Sequence, residues 1–428
     1  MILLLVFGLL FVCMFLGLEI FASMGMSGVI YLLISGNAPL NLVASKFVDG
    51  ISSYSLLAIP FFMLLGELMN LSGMTKRLIE LSQFFIGSFK GGLAYAAIFV
   101  NMLVACISGS APADCTAVSS VLIPEMRKQG YPDDFSATIN CCSSVLGPII
   151  PPSIPMVFLA MLCNISTGKI LIAGVVPGLL LTVCLILVCH HKLKSIDHDM
   201  VTVNHSADEF WRLFRGSIFA LLAPVLIVAG VFSGFVTITE VAMFAAFYVL
   251  FIGVVIYRSI NLMIFWEAVK KTIISSSALM ALFGVGGMFS WFMSVEQVPE
   301  LISGLVASLH LKPWMFLLLV NLFLLMVGMI MDAIPAITIF MPVLMPIAES
   351  LNIDPIHFGV IVVVNLMIGL LTPPVGALLY VESKISGVPF NSLVKGVVPI
   401  IGSFLVCLLL ITYIEPLVMW LPNLLMGA

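Results

Sequence analysis

A run of four prolines and one glycine, Gly147-Pro148-Ile149-Ile150-Pro151-Pro152-Ser153-Ile154-Pro155, interrupts a long apolar stretch of the chain. No α-helix passes through it intact, because each proline removes a backbone donor and its ring clashes with the preceding turn. A helix arriving from Phe135 is predicted to unwind here and restart near Ser153. The surroundings decide what the break means. Of 428 residues 62% are hydrophobic and 9% charged, with a mean hydropathy of +1.24, whereas a soluble domain carries about 25% charged residues. The chain is thus expected to be an all-α polytopic membrane protein, in which backbone freed at membrane depth must be buried in protein or lie against a cavity. Gly369-Leu370-Leu371-Thr372-Pro373-Pro374-Val375-Gly376 repeats the device.

A span needs about 20 apolar residues. Crossings are predicted near 2–18, 20–35, 55–70, 134–163 (broken), 169–189, 217–233, 237–257, 271–293, 355–385 (broken) and 396–420. The first lacks a basic leader and a clear cleavage site and reads as a retained helix. Two further apolar stretches, 92–127 and 314–349, are interrupted midway by Ser108-Gly109-Ser110-Ala111-Pro112-Ala113-Asp114 and by Gly328-Met329-Ile330-Met331-Asp332-Ala333-Ile334-Pro335. Each reads as a re-entrant helical hairpin. Segments 72–90 and 294–312 mix apolar and charged residues and read as interfacial helices.

A shift of 222 residues superposes Pro124 on Pro346, Gly147 on Gly369, Pro151 on Pro373 and Pro152 on Pro374. Two repeats follow, 1–190 and 217–428, joined by a polar connection at 191–216. Each repeat holds five crossings, a hairpin and a broken helix, and an odd number of crossings inverts the second copy. Paired broken helices in inverted repeats place a binding site near the midplane. Placing the connection in the cytoplasm leaves fourteen of the 17 lysines and arginines on that side, the asymmetry that membrane insertion favours. Both termini then face away from the cytoplasm.

The polar residues of the interruptions are the candidate binding groups. In the first repeat these are Ser108, Gly109, Ser110 and Asp114 at the hairpin tip, with Ser143, Ser144, Gly147, Pro148 and Ser153 at the break. In the second they are Gly328, Asp332 and Thr338, with Asn365, Gly369, Thr372, Pro373 and Gly376. Hydroxyls, carboxylates and carbonyls of unwound backbone suit sodium, while the starts of half-helices suit an anionic group. Ser108, Ser110, Gly147, Asp332 and Thr372 are the expected sodium ligands. The plainer alternative for Ser110, Asp114 and Asp332 is helix capping. Asn101 and Asn321 are expected to bond across packed helices. The nine cysteines read as small buried hydrophobes, and His190, His191, His198 and His205 as residues of a solvated loop. No basic cluster points to nucleic acid. No H-E-x-x-H, G-x-S-x-G or nucleotide-binding loop points to catalysis. No cofactor is expected beyond sodium as coupling ion.

Ile59-Pro60-Phe61-Phe62 with Gly66-Glu67-Leu68-Met69-Asn70, Ser108-Gly109-Ser110-Ala111 with Asp114, the Gly147–Pro155 run and Thr372-Pro373-Pro374-Val375-Gly376 together resemble the large membrane subunit of tripartite ATP-independent periplasmic (TRAP) transporters. The resemblance spans nearly the whole chain. It implies an elevator-type fold in the bacterial inner membrane and sodium-coupled uptake of a small organic acid, of the sialic acid or C4-dicarboxylate type. It further implies a small four-helix membrane subunit, expected as a separate chain, and a periplasmic substrate-binding protein. The alternative is a self-sufficient ion-coupled carboxylate carrier or antiporter on the same plan. In the elevator reading the mobile unit is 92–163 with 314–385, and 2–70, 169–257 and 396–420 stay static.

Overall fold

The computed structural model describes residues 2–35, 40–86, 91–194, 196, 207–233, 236–308 and 311–427. Among them every regular element is helical. Eight helices among the described residues are long and apolar enough to cross a membrane, which makes this a multi-pass membrane protein. Local chemistry explains where the helices stop. Gly92–Ser108 and Ala111–Lys128 form the first hairpin, and Pro313–Ile330 and Ala333–Ser350 the second. Asp332 caps its helix by accepting from the Ala333 amide at 2.7 Å, whereas Ser110 occupies the N-cap position without a side-chain cap bond. The first broken helix is Asp133–Ser144 followed by Ile154–Leu162, restarted by Ser153, whose hydroxyl accepts from the Met156 amide at 3.2 Å. The second is Pro355–Gly369 followed by Ala377–Ser386, with Gly376 in the left-handed conformation at φ +55° between them. The peptide bonds Pro151-Pro152 and Pro373-Pro374 are both cis.

Helix boundaries recur at the offset seen in the sequence: Ala111 and Lys128 correspond to Ala333 and Ser350, 222 positions on in each case (333 − 111, 350 − 128). The same offset accounts for a helix outside the expected crossings, Leu40–Ile51, since Leu40 matches Leu262. The second repeat runs as one helix of 34 residues, Leu262–Val295, where the first is broken at Ser52-Ser53 into Leu40–Ile51 and Ala58–Leu71. The last predicted crossing also divides, at Ile414, into Phe390–Tyr413 and Glu415–Met426. Helices Met74–Ile86 and Val298–Ser308 stand where interfacial helices were expected. The connection 191–216 is helical at both ends, and His190 and His191 belong to Val175–Lys194 rather than to a loop. His198 and His205 lie outside the described residues.

Side-chain bonds sort the helices into two packed bodies. In one, Leu40–Ile51 lies along Leu262–Val295, the Tyr31 hydroxyl reaches Glu296 at 2.5 Å, and Arg77 sits over the Tyr257 ring at 4.3 Å. In the other, the hairpins and broken helices hold Val175–Lys194 and Phe390–Tyr413. Asn321 donates to Thr412 at 2.9 Å, His357 Nε2 meets the Ile411 carbonyl at 2.8 Å, and Lys192 donates to the Gly396 carbonyl at 2.6 Å. Of the segments expected to stay static, Val175–Lys194 and Phe390–Tyr413 pack on the hairpins and broken helices, while Thr167–Ala173 also packs on Ala207–Ser233. Between the bodies the contact is close: Gly92–Ser108 packs along Met74–Ile86, and a Cβ on Gly286 would stand 2.7 Å from the Thr338 methyl.

Candidate functional site

Each hairpin tip rests on the break of its own half. Gly109 is left-handed at φ +58°, and a Cβ there would lie 2.9 Å from the Pro152 carbonyl oxygen and 3.1 Å from the Ile154 amide. Only glycine meets both demands, the positive φ and the close approach. In the second half Gly328 and Gly369 face each other, and a Cβ on Gly369 would stand 2.6 Å from the Gly328 Cα. The Gly376 amide then donates to the Met329 carbonyl at 3.4 Å.

Between the two tips lies a cavity of about 230 Å³. The first tip contributes Gly109, Ser110, Ala111 and Pro112, and the second Asp332 and Ile334. Pro148, Ile154 and Pro155 come from one break and Met367 and Leu370 from the other, while Met63, Ser275 and Leu279 close the wall from the other body. The helices beginning at Ala111, Ile154 and Ala333 start at this cavity, and Pro355–Gly369 ends there. Converging helix starts place partial positive charge and free amides where an anion would sit, and a helix end offers carbonyls to a cation. The Asp332 carboxylate is exposed to the cavity and adds the one acidic side chain to its lining among the described residues.

Of the candidate residues, Gly109, Ser110, Pro148 and Asp332 therefore meet at one cavity. The Ser108 side chain lies outside the described residues. Asp114 is fully buried in the first turn of Ala111–Lys128, away from the lining. Ser143 and Ser144 bond to the Asn140 and Cys141 carbonyls of their own helix, at 3.0 and 2.8 Å. Gly147 is buried in the turn before Pro148, whose carbonyl accepts from the Ser153 hydroxyl. Thr338 and Thr372 turn their hydroxyls back to the Ile334 and Ile368 carbonyls, each at 2.8 Å. Asn365 donates to the Asn321 side chain at 2.7 Å, bridging hairpin and broken helix. Asn101 does the same in the first half, donating to Asn140 at 2.9 Å and to Ser143 at 2.7 Å. Gly328, Gly369, Pro373 and Gly376 shape the second break without lining the cavity. Of the five expected sodium ligands, Ser110 and Asp332 are brought together. Among the described residues no group of three or more His, Cys, Asp or Glu side chains is placed to hold a metal.

One buried carboxyl group escaped the sequence reading. Glu382, wholly inaccessible on Ala377–Ser386, accepts from Cys115 at 2.8 Å, Ser119 at 2.6 Å and Asn140 at 3.1 Å, all on its Oε2. It ties the second broken helix to the first hairpin and the first broken helix. An acidic residue inside a predicted crossing was the available signal, since such a charge needs a partner within the protein.

The family model described as "Tripartite ATP-independent periplasmic transporter, DctM component" matches residues 7–417. The sialic acid TRAP transporter large permease protein SiaM of Vibrio cholerae is 34% identical over 97% of each chain. The C4-dicarboxylate TRAP transporter large permease protein DctM of Pseudomonas aeruginosa is 40% identical over 94% of each. Among solved structures, the YdaH transporter of Alcanivorax borkumensis matches with a TM-score of 0.68 at 14% identity, covering 88% of this chain and 89% of that one.

Proposed function

Because the chain belongs to the TRAP transporter family as a DctM component, a large permease and not an enzyme, we propose that it carries a small organic acid through the bacterial inner membrane, driven by sodium. The cavity between the two hairpin tips is the observation that carries this reading, since it joins helix starts suited to a carboxylate with Asp332, Ser110 and a helix end suited to sodium. Ser110 and Asp332 are the side chains assigned to sodium, and unwound carbonyls at the two breaks complete its shell. The substrate is of the sialic acid or C4-dicarboxylate type, the classes named for its relatives. A small four-helix membrane subunit and a periplasmic binding protein are its partners.

The motion follows from the two bodies. The repeats are inverted, so the hairpins open to opposite sides, and the unit that holds the acid slides past the scaffold. That unit comprises the hairpins, the broken helices, Val175–Lys194 and Phe390–Tyr413, against a scaffold of 2–86 and 207–308. Asn321, Lys192, His357 and Glu382 hold it together. The experiment is uptake of radiolabelled sialic acid and succinate into proteoliposomes holding this chain and the small subunit. Uptake should need both outside sodium and the binding protein. Equal rates in sodium and potassium, or full uptake without the binding protein, would overturn the reading.

A further inference from the structure

A second cavity, of about 430 Å³, opens between the two bodies. Two helices run from the central cavity to it. On Leu262–Val295, Ser275 and Leu279 face the central cavity while Gly287 and Ser290 face the second. On Ile154–Leu162, Pro155 faces the first and Met161 the second. Between them the Phe158 and Phe283 rings stand with centroids 3.8 Å apart, a plug shared by the two bodies. At 1.5 Å per residue, Leu279 and Gly287 are about 12 Å apart along their helix. A slide of that length would bring the hairpin site level with the second cavity.

Lys46 is the one cation lining this second cavity among the described residues, and one of three on the side that the charge distribution places outside the cytoplasm. It is held by Asp49 at 3.1 Å, with side chains 34% and 59% exposed. An exposed pair of this kind is worth about 0–1 kcal/mol, so another carboxylate can replace Asp49 at little cost. We propose that this cavity is the chamber receiving the organic acid from outside, with Lys46 as its carboxylate contact and Asp49 as the anion the acid displaces. The inference rests on the transport reading and its sidedness.

Ser290, on the chamber wall, is replaced by cysteine in a Cys163→Ser background, and the full chain with its small subunit is reconstituted. A sulfonate-bearing thiosulfonate and an uncharged one are added outside, and the ratio of their labelling rates is measured. Lys46→Gln should lower this ratio about threefold and Asp49→Asn should raise it about threefold, as one charge acting across the chamber requires. The half-saturating concentration for uptake should move with it, rising in Lys46→Gln and falling in Asp49→Asn. Opposite signs separate the two roles, because a purely structural ion pair is broken equally by either change. No labelling of Ser290→Cys from outside, equal ratios, or shifts of the same sign would overturn the chamber. Absence of any acid uptake by the parent chain would instead overturn the transport reading, leaving the labelling result to stand by itself.

Discussion

Replacing Glu382 by alanine removes the acceptor of three buried donors, the Cys115 thiol, the Ser119 hydroxyl and the Asn140 amide. Hydrogen bonds between membrane helices average about 0.6 kcal/mol, and three of them give roughly 2 kcal/mol. Bonds to a charged group run to about 1.5–3 kcal/mol each. Asn140 keeps its bond to Ser119 at 2.6 Å, which limits the loss, so about 2–4 kcal/mol is expected for Glu382→Ala. Glutamine keeps one carbonyl oxygen able to accept from all three, and Glu382→Gln should cost about 1 kcal/mol or less. Thermal unfolding of the purified chain in detergent reads the difference, with the alanine variant melting several degrees below the glutamine one. A double-mutant cycle with Asn140→Ala should show a coupling of about 1 kcal/mol. If alanine and glutamine melted together at the parent temperature, Glu382 would not be the tie between the two halves.

Gly369→Ala should cost at least about 1–3 kcal/mol and cut uptake strongly, because its Cβ meets Gly328 backbone at 2.6 Å and neither helix can yield without opening the second tip; near-normal melting and uptake would contradict that packing. Asp332→Asn keeps the cap acceptor but loses the charge, so melting should hold while the sodium concentration for half-maximal uptake rises tenfold or more. Asp332→Ala should add a stability loss of about 1 kcal/mol from the missing cap. Identical sodium curves for parent and Asp332→Asn would remove Asp332 from the ion site.

The breaks and hairpins were legible because proline and glycine act locally. Pro148, Pro151, Pro152 and Pro155 forbid a continuous helix whatever packs nearby, and the hairpin arms end within a residue or two of where the sequence places them. Neighbours were harder to read. Asn365 and Ser143 sit on broken helices at depths that fit an ion site, yet they face Asn321 and Asn101 across a helix interface. Sequence spacing identifies a face but not what lies against it. Glu382 drew no attention because its three partners come from two distant segments. Helix Leu40–Ile51 was hidden by its polar face, although the 222-residue offset from Leu262 carried it.

The elevator and its main rival, a rocking of two halves about the 191–216 connection, differ over one native pair. Cys184 and Cys407 lie in different halves of the chain, yet both belong to the unit proposed to move, and their sulfurs stand 3.0 Å apart. Uptake is measured after cross-linking this pair in a chain stripped of its other cysteines, beside a Gly286→Cys, Thr338→Cys chain that joins hairpin to scaffold. The elevator predicts that the Cys184–Cys407 bridge leaves uptake working, while the Gly286→Cys, Thr338→Cys bridge stops it until reduced. Uptake blocked by the first bridge and indifferent to the second would contradict the account and favour rocking halves.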